Sequence, residues 1–120
     1  MILLDSNIVI YAADSTRTDA ARFVAENQTA VSAISYVEAL GFHDLGVVER
    51  QTLEAFFDTE PTFEIDPPVL DRAVTLRQRR RMSLGDAIIA ATALVHDLPL
   101  ATNDLHGFWD IPGLRVVRAI

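Results

Sequence analysis

The run Ser83-Leu84-Gly85-Asp86-Ala87-Ile88-Ile89-Ala90-Ala91-Thr92-Ala93-Leu94-Val95, followed by Pro99-Leu100-Ala101-Thr102-Asn103-Asp104, decides how this chain folds. Leu84, Ala87, Ile88, Ala91, Leu94 and Val95 trace one apolar helix stripe, Ser83 suits the helix entrance, and Pro99 stops the pattern. Leu100-Ala101-Thr102 then reads as a short buried strand. Ile2-Leu3-Leu4 is a second such strand, and Asp5-Ser6-Asn7 turns or caps, so the strand runs straight into a helix start.

Between these ends the same alternation repeats. A helix is expected from about Asp19 to Glu26, with Ala20, Phe23 and Val24 on its buried face. Ala30-Val31-Ser32-Ala33 reads as a strand, after which Ser35 begins a helix with Val37, Leu40 and Leu45 roughly on one face and Gly41 inside it. A further helix is expected from Val48 to Phe57, broken by Pro61. Thr62-Phe63-Glu64-Ile65 alternates as a strand should, and Asp66-Pro67-Pro68 caps and starts a helix carrying Leu70, Ala73, Val74 and Leu76. Leu114-Arg115-Val116-Val117 makes a last strand after the Pro112-Gly113 turn. Strands alternating with helices give an α/β fold with a parallel sheet covered on both faces, because parallel strands need crossover connections. Ligands of such sheets bind beyond the carboxyl ends of the strands.

With 120 residues, half of them hydrophobic, one domain over residues 1–120 is expected. No apolar run is long enough for a membrane helix, and Asp5 cuts the N-terminal run too short for a signal peptide. Without cysteine there is no disulfide framework and no thiolate metal site, which suits a cytoplasmic setting. A net charge of −7 argues against nucleic-acid binding over the whole surface. All ten basic residues are Arg, and Arg77, Arg79, Arg80 and Arg81 form one run. That run reads either as a solvated helix end or as a phosphate-binding edge, with Arg77, Arg80 and Arg81 as the candidate contacts to phosphates or to an acidic partner segment.

Four carboxylates stand out. Asp5 and Asp104 each follow a strand at the carboxyl edge, Glu38 lies three residues after Ser35, and Asp86 three residues after Ser83. Singly, each has a plain explanation: Ser35-x-x-Glu38 and Ser83-x-x-Asp86 match the capping box, and Asp5 and Asp104 suit helix caps. Their apolar surroundings are not explained that way, because crowded buried carboxylates resist ionisation unless a cation compensates them. A hard ion that prefers oxygen, Mg²⁺ or Mn²⁺, is the natural candidate. His43, His96 and His106 lack the close helical spacing of a zinc motif, and Phe108 and Trp109 read as packing more readily than as base-stacking residues.

Ile2-Leu3-Leu4-Asp5-Ser6-Asn7-Ile8-Val9-Ile10-Tyr11 resembles the opening of PIN-domain toxins. Val31-Ser32-Ala33-Ile34-Ser35-Tyr36-Val37-Glu38-Ala39-Leu40-Gly41 resembles the segment bearing their second acid, and Leu84-Gly85-Asp86-Ala87-Ile88-Ile89-Ala90-Ala91-Thr92-Ala93 that bearing the third. Leu100-Ala101-Thr102-Asn103-Asp104, with Phe108, is similar to their closing motif. The match spans nearly the whole chain, in order.

The resemblance implies a three-layer α/β/α domain with a four- to five-stranded, mainly parallel sheet. It further implies a metal-dependent endoribonuclease of the VapC kind, held in check by a VapB-type antitoxin and forming a homodimer. Asp5, Glu38, Asp86 and Asp104 would be catalytic, with Asp5, Asp86 and Asp104 on the metal; in that family the fourth position varies between acid and amide. Ser6 and Thr102 match hydroxyl residues that assist at the site. Two other readings stand beside this one: a PIN-like module that only binds RNA or a partner, and a phosphatase that forms an aspartyl phosphate. The second expects an Asp two residues after Asp5 and a lysine for phosphate, whereas the chain has Asn7 and no lysine.

Overall fold

Neighbouring residues of the central strands point into different cores. Leu3, Ala30 and Leu100 belong to one apolar cluster, and Leu4, Val31 and Ala101, one residue further along each strand, belong to the other. A strand sends successive side chains to opposite faces, so two fully buried clusters require a layer of helices on each side. The structure, a computed structural model, describes residues 1–120 and has that three-layer form. Strands β1 (Ile2–Leu4), β2 (Thr29–Ser32), β3 (Thr62–Phe63), β4 (Leu100–Thr102) and β5 (Val116–Arg118) form one sheet in the order β3-β2-β1-β4-β5, parallel throughout.

The helices are α1 (Ser6–Ala12), α2 (Thr18–Glu26), α3 (Ala33–Leu40), α4 (Val47–Thr59), α5 (Pro67–Arg79), α6 (Leu84–Val95) and α7 (Leu105–Phe108). Helix α6 is the hub of the first core: Ala87 to Ala93 are all buried, including Thr92, whose hydroxyl donates to the Ile88 carbonyl at 2.7 Å. Val69, Ala73 and Leu76 of α5 pack against it. On the other face Ile8 and Val9 of α1, Ala39 of α3 and Leu53 of α4 close over the sheet. No helix is long and apolar enough to cross a membrane.

Several boundaries differ from the sequence expectation. Helix α3 starts before Ser35, because Ser32 is its cap and accepts from the Ile34 amide at 3.2 Å. Ser35 is therefore a buried residue inside α3, and Gly41 is the C-cap, which leaves Leu45 beyond the helix. The last strand begins at Val116 rather than Leu114, and the short α7 has no sequence signal, because four residues carry no helical period.

Candidate metal centre

Asp5 occupies the N-cap position of α1 with extended backbone, yet its side chain makes no capping bond. Instead Oδ2 accepts from the Thr102 hydroxyl at 2.7 Å, across the β1–β4 pair. Thr102 is fully buried, and its oxygen in turn accepts from the Asp104 amide at 3.0 Å. Asp5 itself is only 5% exposed. Burial raises its pKa from 3.8 to about 6; the Thr102 bond opposes this, and the negative charges of Asp86 and Glu38 add to it.

Glu38 reaches the same place from α3. The Ser6 hydroxyl donates to Glu38 Oε1 at 2.7 Å, and Ser6 and Ser35 oxygens are 2.8 Å apart. A hydroxyl has one proton, so Ser35 donates to Ser6, and Ser6 to Glu38. Glu38 lies in the second turn of α3, so no capping box forms with Ser35. Its carboxylate rests on Gly85, where an added Cβ would stand 2.8 Å from Cδ. A glycine in the first turn of α6 is what lets α3 and α6 bring their acids together.

Helix α6 leads into β4 and must run antiparallel to it, so its first turn lies at the carboxyl edge of the sheet. Ser83 caps it, accepting from the Asp86 amide at 3.1 Å, so half of the expected capping box is present. Burial raises the pKa of Asp86, the Ser83 hydroxyl opposes this, and the charges of Glu38 and Asp104 raise it further, against the lowering effect of Arg80. Asp104 does act as a cap: Oδ1 accepts from the Gly107 amide at 3.1 Å at the start of α7. The four acids thus come from four segments to one edge, each within electrostatic reach of at least one other.

A family model described as PIN domain matches residues 2–113. The chain belongs to the PIN-domain family. Members of this family are generally nucleases, acting on nucleic acids as hydrolases. Among solved structures, a toxin–antitoxin complex from Klebsiella pneumoniae aligns with a TM-score of 0.81 at 32% identity, covering 100% of this chain and 98% of that one. DNA-bound VapBC from Salmonella typhimurium aligns with a TM-score of 0.82 at 20% identity over 100% of both chains. VapBC2 from Rickettsia felis, bound to a promoter DNA fragment, gives 0.78 at 21% identity over 98% of each chain. At such identities these last two show the fold alone. No curated protein matches by sequence.

In this PIN domain no three acidic or histidine side chains stand close enough to form a ready-made cation cage. Their present partners are hydroxyls and amides: Thr102 for Asp5, Ser6 for Glu38, Gly107 for Asp104. The donor set nevertheless fits a hard divalent ion, because it is all oxygen and carries more negative charge than the fold neutralises. Burial first, and the charges of the neighbouring acids after it, raise the pKa values of Asp5 and Asp86. The larger hollow of the surface, about 180 Å³, lies elsewhere, between Ile10, Phe42, Leu45 and Leu53, and none of the four acids lines it. The acids line an open edge, which suits a long polymer better than an enclosed small molecule.

The Arg run is divided in its roles. Arg77 Nε donates to the Met82 carbonyl at 3.3 Å, and Arg80 donates to the carbonyls of Arg81, at 3.0 Å, and Gly107. Arg79 and Arg80 both pair with Asp110. Arg81 is exposed and its guanidinium has no partner within the fold. Of the two aromatic residues near the C-terminus, Phe108 is fully buried and Trp109 is 72% exposed. His96 packs on Phe63 with ring centres 4.3 Å apart, and His43 is an exposed neighbour of Asp44.

Proposed function

We propose that this PIN domain, a single unit over residues 1–120 working in the cytoplasm, is a Mg²⁺- or Mn²⁺-dependent endoribonuclease and the toxin of a VapBC-type pair. The observation that carries this is the convergence of Asp5, Glu38, Asp86 and Asp104 on one open edge with uncompensated charge. Likeness to the Klebsiella pneumoniae toxin–antitoxin complex supports the pairing with a VapB-type antitoxin.

Asp5, Asp86 and Asp104 would hold the ion, and Glu38 orients the attacking water. When bound, the ion supplies a more acidic water and offsets charge on the phosphate oxygens and leaving group. Thr102 fixes the rotamer of Asp5, and the Ser35–Ser6 pair fixes that of Glu38, so two of the acids are aimed before substrate arrives. Arg81 is the member of the Arg run free to take an RNA phosphate, while Arg77 and Arg80 contribute whatever donors their carbonyl contacts leave. Tyr36, Val37, Val47 and Val48 are each more than half exposed and offer a homodimer face beside Glu38.

Purified protein incubated with a mixed RNA pool should cut it with Mg²⁺ or Mn²⁺ present and stop in excess EDTA, with Zn²⁺ not the preferred ion. Full activity in EDTA overturns the reading, and cleavage of single-stranded DNA in place of RNA corrects the substrate.

A further inference from the structure

Gly107 is held from both sides. Its amide donates to Asp104 Oδ1 at 3.1 Å, and its carbonyl accepts from Arg80 Nη2. A Cβ at this position would stand 2.8 Å from Asp104 Oδ2, so the carboxylate lies directly on the glycine backbone. The location of the Asp104 side chain is therefore tied to that of Gly107, and Gly107 is tied to Arg80.

Arg80 is itself fixed. It is the C-cap residue of α5, next to the turn that leads into α6 and Asp86. Its Nη1 donates to the Arg81 carbonyl at 3.0 Å, and its Nη2 lies 3.0 Å from Asp110 Oδ1. Arg80 Nε and Asp110 Oδ1 are buried and make no directed hydrogen bond, so the two charges are paired by proximity in a partly dehydrated place. One guanidinium thus spans from the α5–α6 turn, which delivers Asp86, to α7, which delivers Asp104.

We infer that Arg80 is a positioning residue for the metal site, a strut that sets the spacing between Asp86 and Asp104 through its bond to the Gly107 carbonyl. This rests on the metal-dependent reading above. A planar fork is needed for it, because the side chain serves Gly107, Arg81 and Asp110 at once, and a lysine ammonium cannot span that arrangement.

Arg79 provides the control. It holds the same Asp110, through the carbonyl at 2.6 Å and the carboxylate at 3.6 Å, but does not touch Gly107. If the Arg–Asp110 contacts only fasten α7 to the fold, Arg79→Gln and Arg80→Gln should behave alike.

The test is Mn²⁺ affinity of the resting protein, read by electron paramagnetic resonance or calorimetry without RNA, beside thermal melting. Arg80→Gln should weaken Mn²⁺ binding roughly tenfold, as loss of a group that orients a metal ligand commonly does. Arg79→Gln should stay within about twofold of the parent, and Arg80→Lys should fall between. In an Asp104→Asn background the weakening by Arg80→Gln should vanish, since the strut acts through Asp104; what remains there is the loss of a positive charge near Asp86, which can only favour the cation. Parent-like affinity in Arg80→Gln, equal weakening in Arg79→Gln, or an undiminished Arg80 effect in the Asp104→Asn background overturns the strut. Should Arg80→Gln not fold, parent-like affinity in Arg80→Lys does so. A parent that binds no Mn²⁺ overturns the metal reading itself, which is a separate result.

Discussion

Two aspartates stand at helix entrances and are used differently. Asp66 precedes the Pro67-Pro68 start of α5 and accepts from the Val69 amide at 3.2 Å, an ordinary N-cap. Asp5 has the same position before α1 and comparable extended backbone, but its carboxylate makes no capping bond and accepts instead from Thr102. One carboxylate relieves an unpaired helix amide, while the other is withheld from that task and kept buried at a cost. A side chain denied its easiest partner, in a place that disfavours its charge, marks a site better than the presence of an acid does.

The largest test of that contrast is Asp5→Asn, which keeps an acceptor for Thr102 and removes the charge. Cleavage should fall by at least ~100-fold, since on the proposed reading the ion loses a ligand. The metal-free protein should meanwhile become more stable at neutral pH. Asp5 titrates at about 6 in the fold against 3.8 ordinarily, so the folded state holds its proton more tightly and loses stability as pH rises between those values. That loss persists above pH 6 and amounts to at most about 3 kcal/mol. Melting curves in EDTA from pH 4 to 7 should therefore show the parent falling relative to Asp5→Asn across this interval, and a constant difference would remove the burial argument.

Gly85→Ala sharpens the comparison with a smaller effect. The new methyl collides with the end of the Glu38 side chain, which is flexible enough to move away from Ser6. Cleavage should drop on the order of 10- to 100-fold through misplacement of Glu38. Stability should hold or rise by up to about 1 kcal/mol, because alanine suits a helix better than glycine. A variant that melts lower and cuts normally would show that Gly85 matters for packing alone. The smallest effect belongs to the ordinary cap: Asp66→Ala should cost about 1 kcal/mol of stability and leave cleavage untouched. Loss of cleavage there, in protein that still melts cooperatively, would break the distinction between the two aspartates.

The sheet edge was legible because strand and acid adjoin in sequence: Leu4 precedes Asp5, and Thr102 precedes Asp104 by two residues. The helix faces of α5 and α6 were legible only in part from their period. Ala73, Leu76, Ala87, Ile88 and Ala91 are buried as expected, but Leu70, Val74 and Leu84 face outward and Val69 takes a core place instead, because the packing of α5 on α6 and not the period alone selects the face. What stayed hidden depended on contacts between distant segments. Ser32 and Ser35 are equally good caps locally, and only burial of Ser35 against Ser6, 29 residues away, decides between them. Arg80 looked like part of a solvated or phosphate-binding run, because Gly107 and Asp110, which hold it, lie about 30 positions further on. Gly85 weakens a helix in isolation, and its use appears only when α3 is laid across it.

The Asp5–Thr102 bond joins residues 97 apart, and β4 lies beside β1 at the middle of the sheet. On a ribosome the chain emerges from its N-terminus, so β1 waits for nearly the whole sequence before its second neighbour exists. Until then Asp5 lacks Thr102, Asp86 and Asp104 together, and no fragment released early carries a complete set of acids. On the proposed reading, a ribonuclease is thereby inert while still attached to the RNA machine that builds it.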